Sequence, residues 1–137
     1  MVSWLSSGPQ NVDLKVLVVS DDANARTSIC DVLLEAGCIV HYAPSAALAI
    51  DYLTESPMPD LLIVDFLEPE TDGKYFVEVS RLRFGRKTLA PLLFLMDDAG
   101  DERTAQIMDI DDVLPKSSNG AVLLERVQNI AQTAAAK

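Results

Sequence analysis

Apolar residues follow two rhythms along this chain. Unbroken runs such as 16–19, 61–64 and Leu92–Met96 suit strands buried on both faces. Between them, apolar residues recur every three or four positions, the spacing of one helix face. The first strand is the run 14–19, interrupted only by Lys15. A helix over 24–36 follows, with Ile29, Val32, Leu33 and Ala36 inward and Gly37 just past its end. Residues 38–43 read as a short β-branched strand. Ser45 is the N-cap of a helix reaching about Glu55, with Ala46, Ala49, Ile50 and Leu53 on one face. After the strand 61–64, a helix over 73–84 carries Phe76, Val79 and Leu82 or Arg83 on its inner stripe. Leu92–Met96 is the third strongly apolar strand. A short helix over 102–110, a brief strand at Val113 and Leu114, and a helix over 119–131 complete the pattern. Leu123, Val127 and Ile130 face inward on the last helix.

Five strand-then-helix units imply a five-stranded parallel sheet with helices on both faces, an open doubly wound α/β domain. Residues 14–132 form that domain, 1–13 a leader or linker, and 133–137 a tail. The loop chemistry of Ser6-Ser7-Gly8-Pro9 leaves Trp4 and Leu5 either packed on the domain or part of a tag. The chain is either a single-domain protein or a piece of a longer one. No apolar run is long enough to span a membrane, and nothing resembles a secretion signal. The net charge, 11 − 21 = −10, argues against direct nucleic-acid binding, because phosphate backbones select basic faces. Cys30 and Cys38 make neither a disulfide framework nor a zinc site. They read as buried thiols of a cytoplasmic protein.

In such folds ligands bind at the carboxyl ends of the strands. Those ends carry Ser20-Asp21-Asp22, Asp65, Met96-Asp97-Asp98 and, after the last strand, Lys116. Carboxylates gathered from distant segments repel one another unless a cation sits among them. A hard divalent ion held by oxygen, Mg²⁺ (or Mn²⁺), is the natural occupant. Carboxylate, metal and lysine together suit attack on a phosphoryl group, with the cations neutralising its oxygens. Asp65 is the nucleophile of choice, held rigidly behind four apolar residues. His41, the only histidine, lies on the second strand, away from this edge.

The segments Val16-Leu-Val-Val-Ser-Asp-Asp22, Pro59-Asp60-Leu-Leu-Ile-Val-Asp65, Pro69, Asp72-Gly73, Pro91 and Asp112-Val-Leu-Pro-Lys116 resemble a response-regulator receiver domain of two-component signalling. The most specific part runs from Pro59 to Gly73. The resemblance implies a flavodoxin-like sheet of order 2-1-3-4-5. It further implies that Asp65 is the phosphoacceptor and that Lys116 contacts the phosphoryl group. Asp21, Asp65 and the backbone carbonyl of Leu67 would be the metal ligands. Asp22 and Asp97 are supporting acids. The implied partners are a histidine kinase or phosphotransfer protein and an output protein or domain.

Several positions depart from the family pattern. Ser20 stands at the first acid of the pair, which usually holds the metal through water. Met96 replaces the Thr or Ser whose hydroxyl reaches the phosphoryl oxygen, and a thioether has no proton to donate. Val113 occupies the aromatic switch position. Asp97 replaces a small residue, and Ser117 a proline. The segment between Met96 and Lys116 is also short by about two residues against the family pattern, so a shortened fourth helix is expected. A hydrogen bond to a charged group is worth about 1.5–3 kcal/mol, comparable to the gap between two switch states. The chain thus keeps the minimal chemistry and lacks the usual transmission. The alternative is a pseudo-receiver, a phosphorylation-independent interaction module. An aspartate-based phosphatase is disfavoured, because Leu67 stands where that class needs a second acid. The domain is not read as an enzyme.

Overall fold

The computed structural model describes residues 14–97 and 110–135. Five parallel strands form one sheet of order β2-β1-β3-β4-β5. They are β1 (Lys15–Ser20), β2 (Ile39–Ala43), β3 (Leu61–Asp65), β4 (Leu92–Met96) and β5 (Asp112–Pro115). Among the described residues, four helices connect or follow them: α1 (Ala23–Glu35), α2 (Ala46–Glu55), α3 (Lys74–Phe84) and α4 (Gly120–Ala135). One wide turn, Pro69–Gly73, leads into α3. The strand order is the one the family resemblance implies. The leader 1–13 and all but the last residue of the helix expected over 102–110 lie outside the described residues.

β3 and β4 are buried along their whole length, as central parallel strands must be. Alternate residues feed two separate cores. Leu17, Val19, Leu62, Val64, Phe94 and Met96 pack with α2 and α3 on one face. Val16, Val18, Leu61, Ile63, Leu93 and Leu95 pack with α1 and α4 on the other. The helix ends follow local chemistry. Ser45 Oγ accepts from the Leu48 amide at 3.1 Å and starts α2. Asn119 Oδ1 accepts from the Val122 amide at 2.9 Å and starts α4. Gly37, at φ 91°, turns the chain from α1 into β2 in a conformation that L side chains rarely adopt.

Two expectations need correction. The inner stripe of α3 is Phe76, Val77 and Ser80, while Leu82 is 88% exposed. The helix turned toward the sheet by the 76/77/80 spacing carries Leu82 outward, and Val79 is only partly buried. The last helix runs four residues beyond Ala131, to Ala135. Cys38 is buried and Cys30 half-buried, both as free thiols. Burial pushes both thiols up from 9.0; at Cys30 the Arg26 charge opposes and Asp31 adds to that shift.

Candidate functional site

The register of the sheet builds the site. Ser20 and Asp65 are paired residues at the carboxyl ends of β1 and β3. Pro115 pairs with Met96, and the Lys116 amide donates to the Met96 carbonyl at 2.9 Å. Strand alternation places Ser20, Asp65 and Lys116 on the α1/α4 face of the carboxyl edge. Three residues distant in sequence therefore meet because the strands pair in this register.

Asp65 is 2% exposed. Ser20 Oγ lies 3.2 Å from its Oδ2 and 3.2 Å from the Asp22 carbonyl, so one hydroxyl proton serves one acceptor at a time. The same Oγ accepts from the Asp22 amide at 3.2 Å. Lys116 Nζ stands 3.1 Å from Asp65 Oδ1, an ion pair in distance, while donating to the Phe66 carbonyl at 2.8 Å. Oδ1 itself receives no well-aligned hydrogen bond. A buried carboxylate oxygen with that vacancy has capacity for a further positive partner.

Asp21 Oδ1 accepts from the Leu67 amide at 3.0 Å, which ties the β1 end to the loop after β3. Asp21, Asp65 and the Leu67 carbonyl thus belong to neighbouring segments of backbone. Their donors are all oxygen, the set a hard divalent cation takes, with water completing the shell. The unsatisfied Asp65 oxygen fits the same occupant. No cluster of three or more His, Cys, Asp or Glu is present among the described residues, so this set depends on two carboxylates and a peptide carbonyl.

Other expected residues take different positions. Asp22 is the N-cap of α1, its Oδ1 accepting from Asn24 at 3.0 Å and Ala25 at 3.3 Å. Its carboxylate therefore serves the helix start, although Asp22 also lines the cavity beside Asp65. Asp97 is exposed at the end of β4, and Asp98 lies outside the described residues. Met96 is 5% exposed and packs in the α2/α3 core with Phe66 and Phe76, and Val113 is partly buried against the same cluster. His41 is on β2, its ring 5.4 Å from that of Tyr52.

The sequence assigned Ser20 no contact of its own and gave Arg26 no role. Ser20 is a hydrogen-bond partner of Asp65 rather than merely a missing acid. Arg26 brings a second cation to the acidic edge: its Nη1 donates to the Ser20 carbonyl at 2.8 Å, and its guanidinium lies 5.1 Å from the Tyr42 ring centroid. The position of Arg26, one turn into a helix that starts at the acidic edge, was the available signal. A cavity of about 290 Å³ opens beside the site, between α1 and the start of α4, with Asp65 and Lys116 on its wall.

No protein-family model matches the chain. It is 34% identical over 119 residues to the response regulator MprA of Mycobacterium tuberculosis, covering 85% of this chain and 50% of that protein. It is 32% identical over 116 residues to an uncharacterized 14.6 kDa protein of Leptolyngbya boryana, covering 84% and 88%. Among solved structures, a putative response regulator from Chloroflexus aurantiacus superposes with a TM-score of 0.75 at 28% identity, over 88% of this chain and 98% of that one. The chemotaxis response regulator CheY4 of Vibrio cholerae superposes at 0.74 with 25% identity, over 87% and 99%.

The chain belongs to the response-regulator receiver family. It is a receiver domain of two-component signalling and spans half the length of the mycobacterial regulators it matches. Receiver domains are as a rule signalling modules rather than enzymes, bind Mg²⁺ at the phosphorylation site, and work with histidine kinases and output domains. Among the described residues of this receiver, no helix is long and apolar enough to cross a membrane.

Proposed function

We propose that this receiver accepts a phosphoryl group on Asp65 from a histidine kinase or phosphotransfer protein, in the cytoplasm and with Mg²⁺ bound. The observation that carries the reading is the buried Asp65 carboxylate, with Lys116 Nζ 3.1 Å from an oxygen that takes no hydrogen bond. An Asp65 oxygen attacks the donor phosphorus. The bond from phosphorus to the donor atom breaks, and its electron pair leaves with the donor. Ser20 orients the carboxylate through Oδ2, and Lys116 pairs with an oxygen of the transferred group. Asp21, Asp65 and the Leu67 carbonyl would hold the metal, which when bound neutralises charge on the phosphoryl oxygens. Residues 14–132 act as the signalling unit, with no enzymatic activity towards other molecules.

A second reading, a phosphorylation-independent interaction module, rests on Met96. It is sealed into the α2/α3 core and has no hydroxyl to draw toward a phosphoryl group. Intact-protein mass after incubation with acetyl phosphate and Mg²⁺ separates the two. One phosphoryl adduct is expected on the wild type, and none with EDTA or in Asp65→Asn. A folded wild-type protein that stays unmodified, both with acetyl phosphate and with a phosphorylated histidine donor, overturns the first reading in favour of the second.

A further inference from the structure

We propose that the groove at the amino-terminal ends of β4 and β5 binds an acidic segment of a protein partner. This site lies at the opposite end of the sheet from Asp65, so the proposal does not depend on the phosphorylation reading. The cavity is about 730 Å³. Arg81, Arg86, Lys87 and Arg126 line its sides, with Leu89 and Ile130 supplying apolar surface.

The charge here is set apart from that of the rest of the chain. Four of the 11 lysines and arginines fall between positions 81 and 87, and no acid occurs between Glu78 and Asp97. Among the described residues, the two acids lining the groove have partners. Asp112 is paired with Arg126, and Asp111 Oδ2 accepts from the Leu92 amide at 2.7 Å. Arg81 and Arg86 make contacts of their own, so the groove is distinguished by local excess of positive charge and not by unpaired side chains. On a chain of net charge −10, an acidic partner is repelled elsewhere and steered to this end. Carboxylates match the guanidinium and ammonium rim, and apolar side chains of the same segment match Leu89 and Ile130. A nucleotide fits less well, because no aromatic side chain among the described lining residues offers a face for base stacking.

The test uses the full chain and a short fluorescent peptide of mixed Glu and Leu, read by anisotropy at low salt. Saturable binding is expected, weakened roughly tenfold in Arg86→Glu/Lys87→Glu. Lys74→Glu, the same type of reversal at the opposite end of α3, should leave it within about twofold of wild type. Thermal melts establish that the variants fold, and Lys87→Glu alone, at an exposed position, gives the same direction should the double variant unfold. No binding of the Glu/Leu peptide overturns the proposal. So does equal binding by wild type and the folded reversal variants. ATP displacing the peptide at far lower concentration would also overturn it, assigning the groove to a nucleotide.

Discussion

Ser20 is fully buried, and its hydroxyl faces Asp65 Oδ2 and the Asp22 carbonyl at 3.2 Å each. A neutral hydroxyl gives Oδ2 of the buried carboxylate a donor without adding charge. A second acid at this place would set two anions side by side out of water, tolerable only with a cation between them. Ser20→Asp should therefore melt well below wild type in EDTA and recover much of that loss in millimolar Mg²⁺. Equal melting with and without the metal would contradict this account of position 20. Met96 gives a contrasting case. It is 5% exposed among apolar side chains, so Met96→Thr should cost roughly 2–4 kcal/mol in urea unfolding through lost packing and a buried hydroxyl. Adduct formation on Asp65 should persist in that variant. The placement of Asp65, Met96 and Lys116 at strand ends was legible in the chain, because each closes or follows an apolar run. The hydrogen bond from Ser20 was not, because it depends on the β1–β3 register and on a rotamer, which no residue pattern specifies.

At the level of the elements, α1 begins where Asp22 caps it. Asp22→Ala should lose about 1 kcal/mol of unfolding free energy, and Asp22→Ser should restore most of it, since serine caps equally well without the charge. If Asp22→Ser were instead as unstable as Asp22→Ala, the carboxylate charge rather than the cap would be the operative feature. The strands were easily read, because Val16–Val19 and Leu61–Val64 are too apolar to lie anywhere but the centre of a parallel sheet. The inner face of α3 was harder. Tyr75, Phe76, Val77, Val79, Leu82 and Phe84 offer more than one apolar stripe, and only docking against the sheet selects the one through Phe76, Val77 and Ser80. Asp22 presented a similar ambiguity. An acid at the end of a strand and the start of a helix serves a metal site or a cap equally well on paper, and its bonds to the Asn24 and Ala25 amides settle its structural role as a cap.

For the molecule as a whole, the sheet puts the candidate site and the altered switch positions on opposite faces. Ser20, Asp65 and Lys116 converge on the α1/α4 side of the carboxyl edge, while Met96 and Val113 join the core under α2 and α3. A signal leaving Asp65 through the usual switch positions would have to move packed apolar side chains rather than rotate a hydroxyl. If Mg²⁺ binds the folded state alone, it stabilises the whole domain, by about 2.7 kcal/mol at a hundred times its dissociation constant. Thermal melts should rise with Mg²⁺ in the wild type and stay flat in Asp21→Asn. A flat wild-type response would remove the metal from the account. On the proposed function, Asp65 and no other acid at this edge takes the phosphoryl group. Borohydride reduction of the acetyl phosphate-treated protein converts an acyl-phosphorylated aspartate to homoserine, and peptide mass spectrometry then locates it. Homoserine at position 65 alone is the expected result; homoserine at position 21, 22 or 97, or none at all in folded protein, would contradict it.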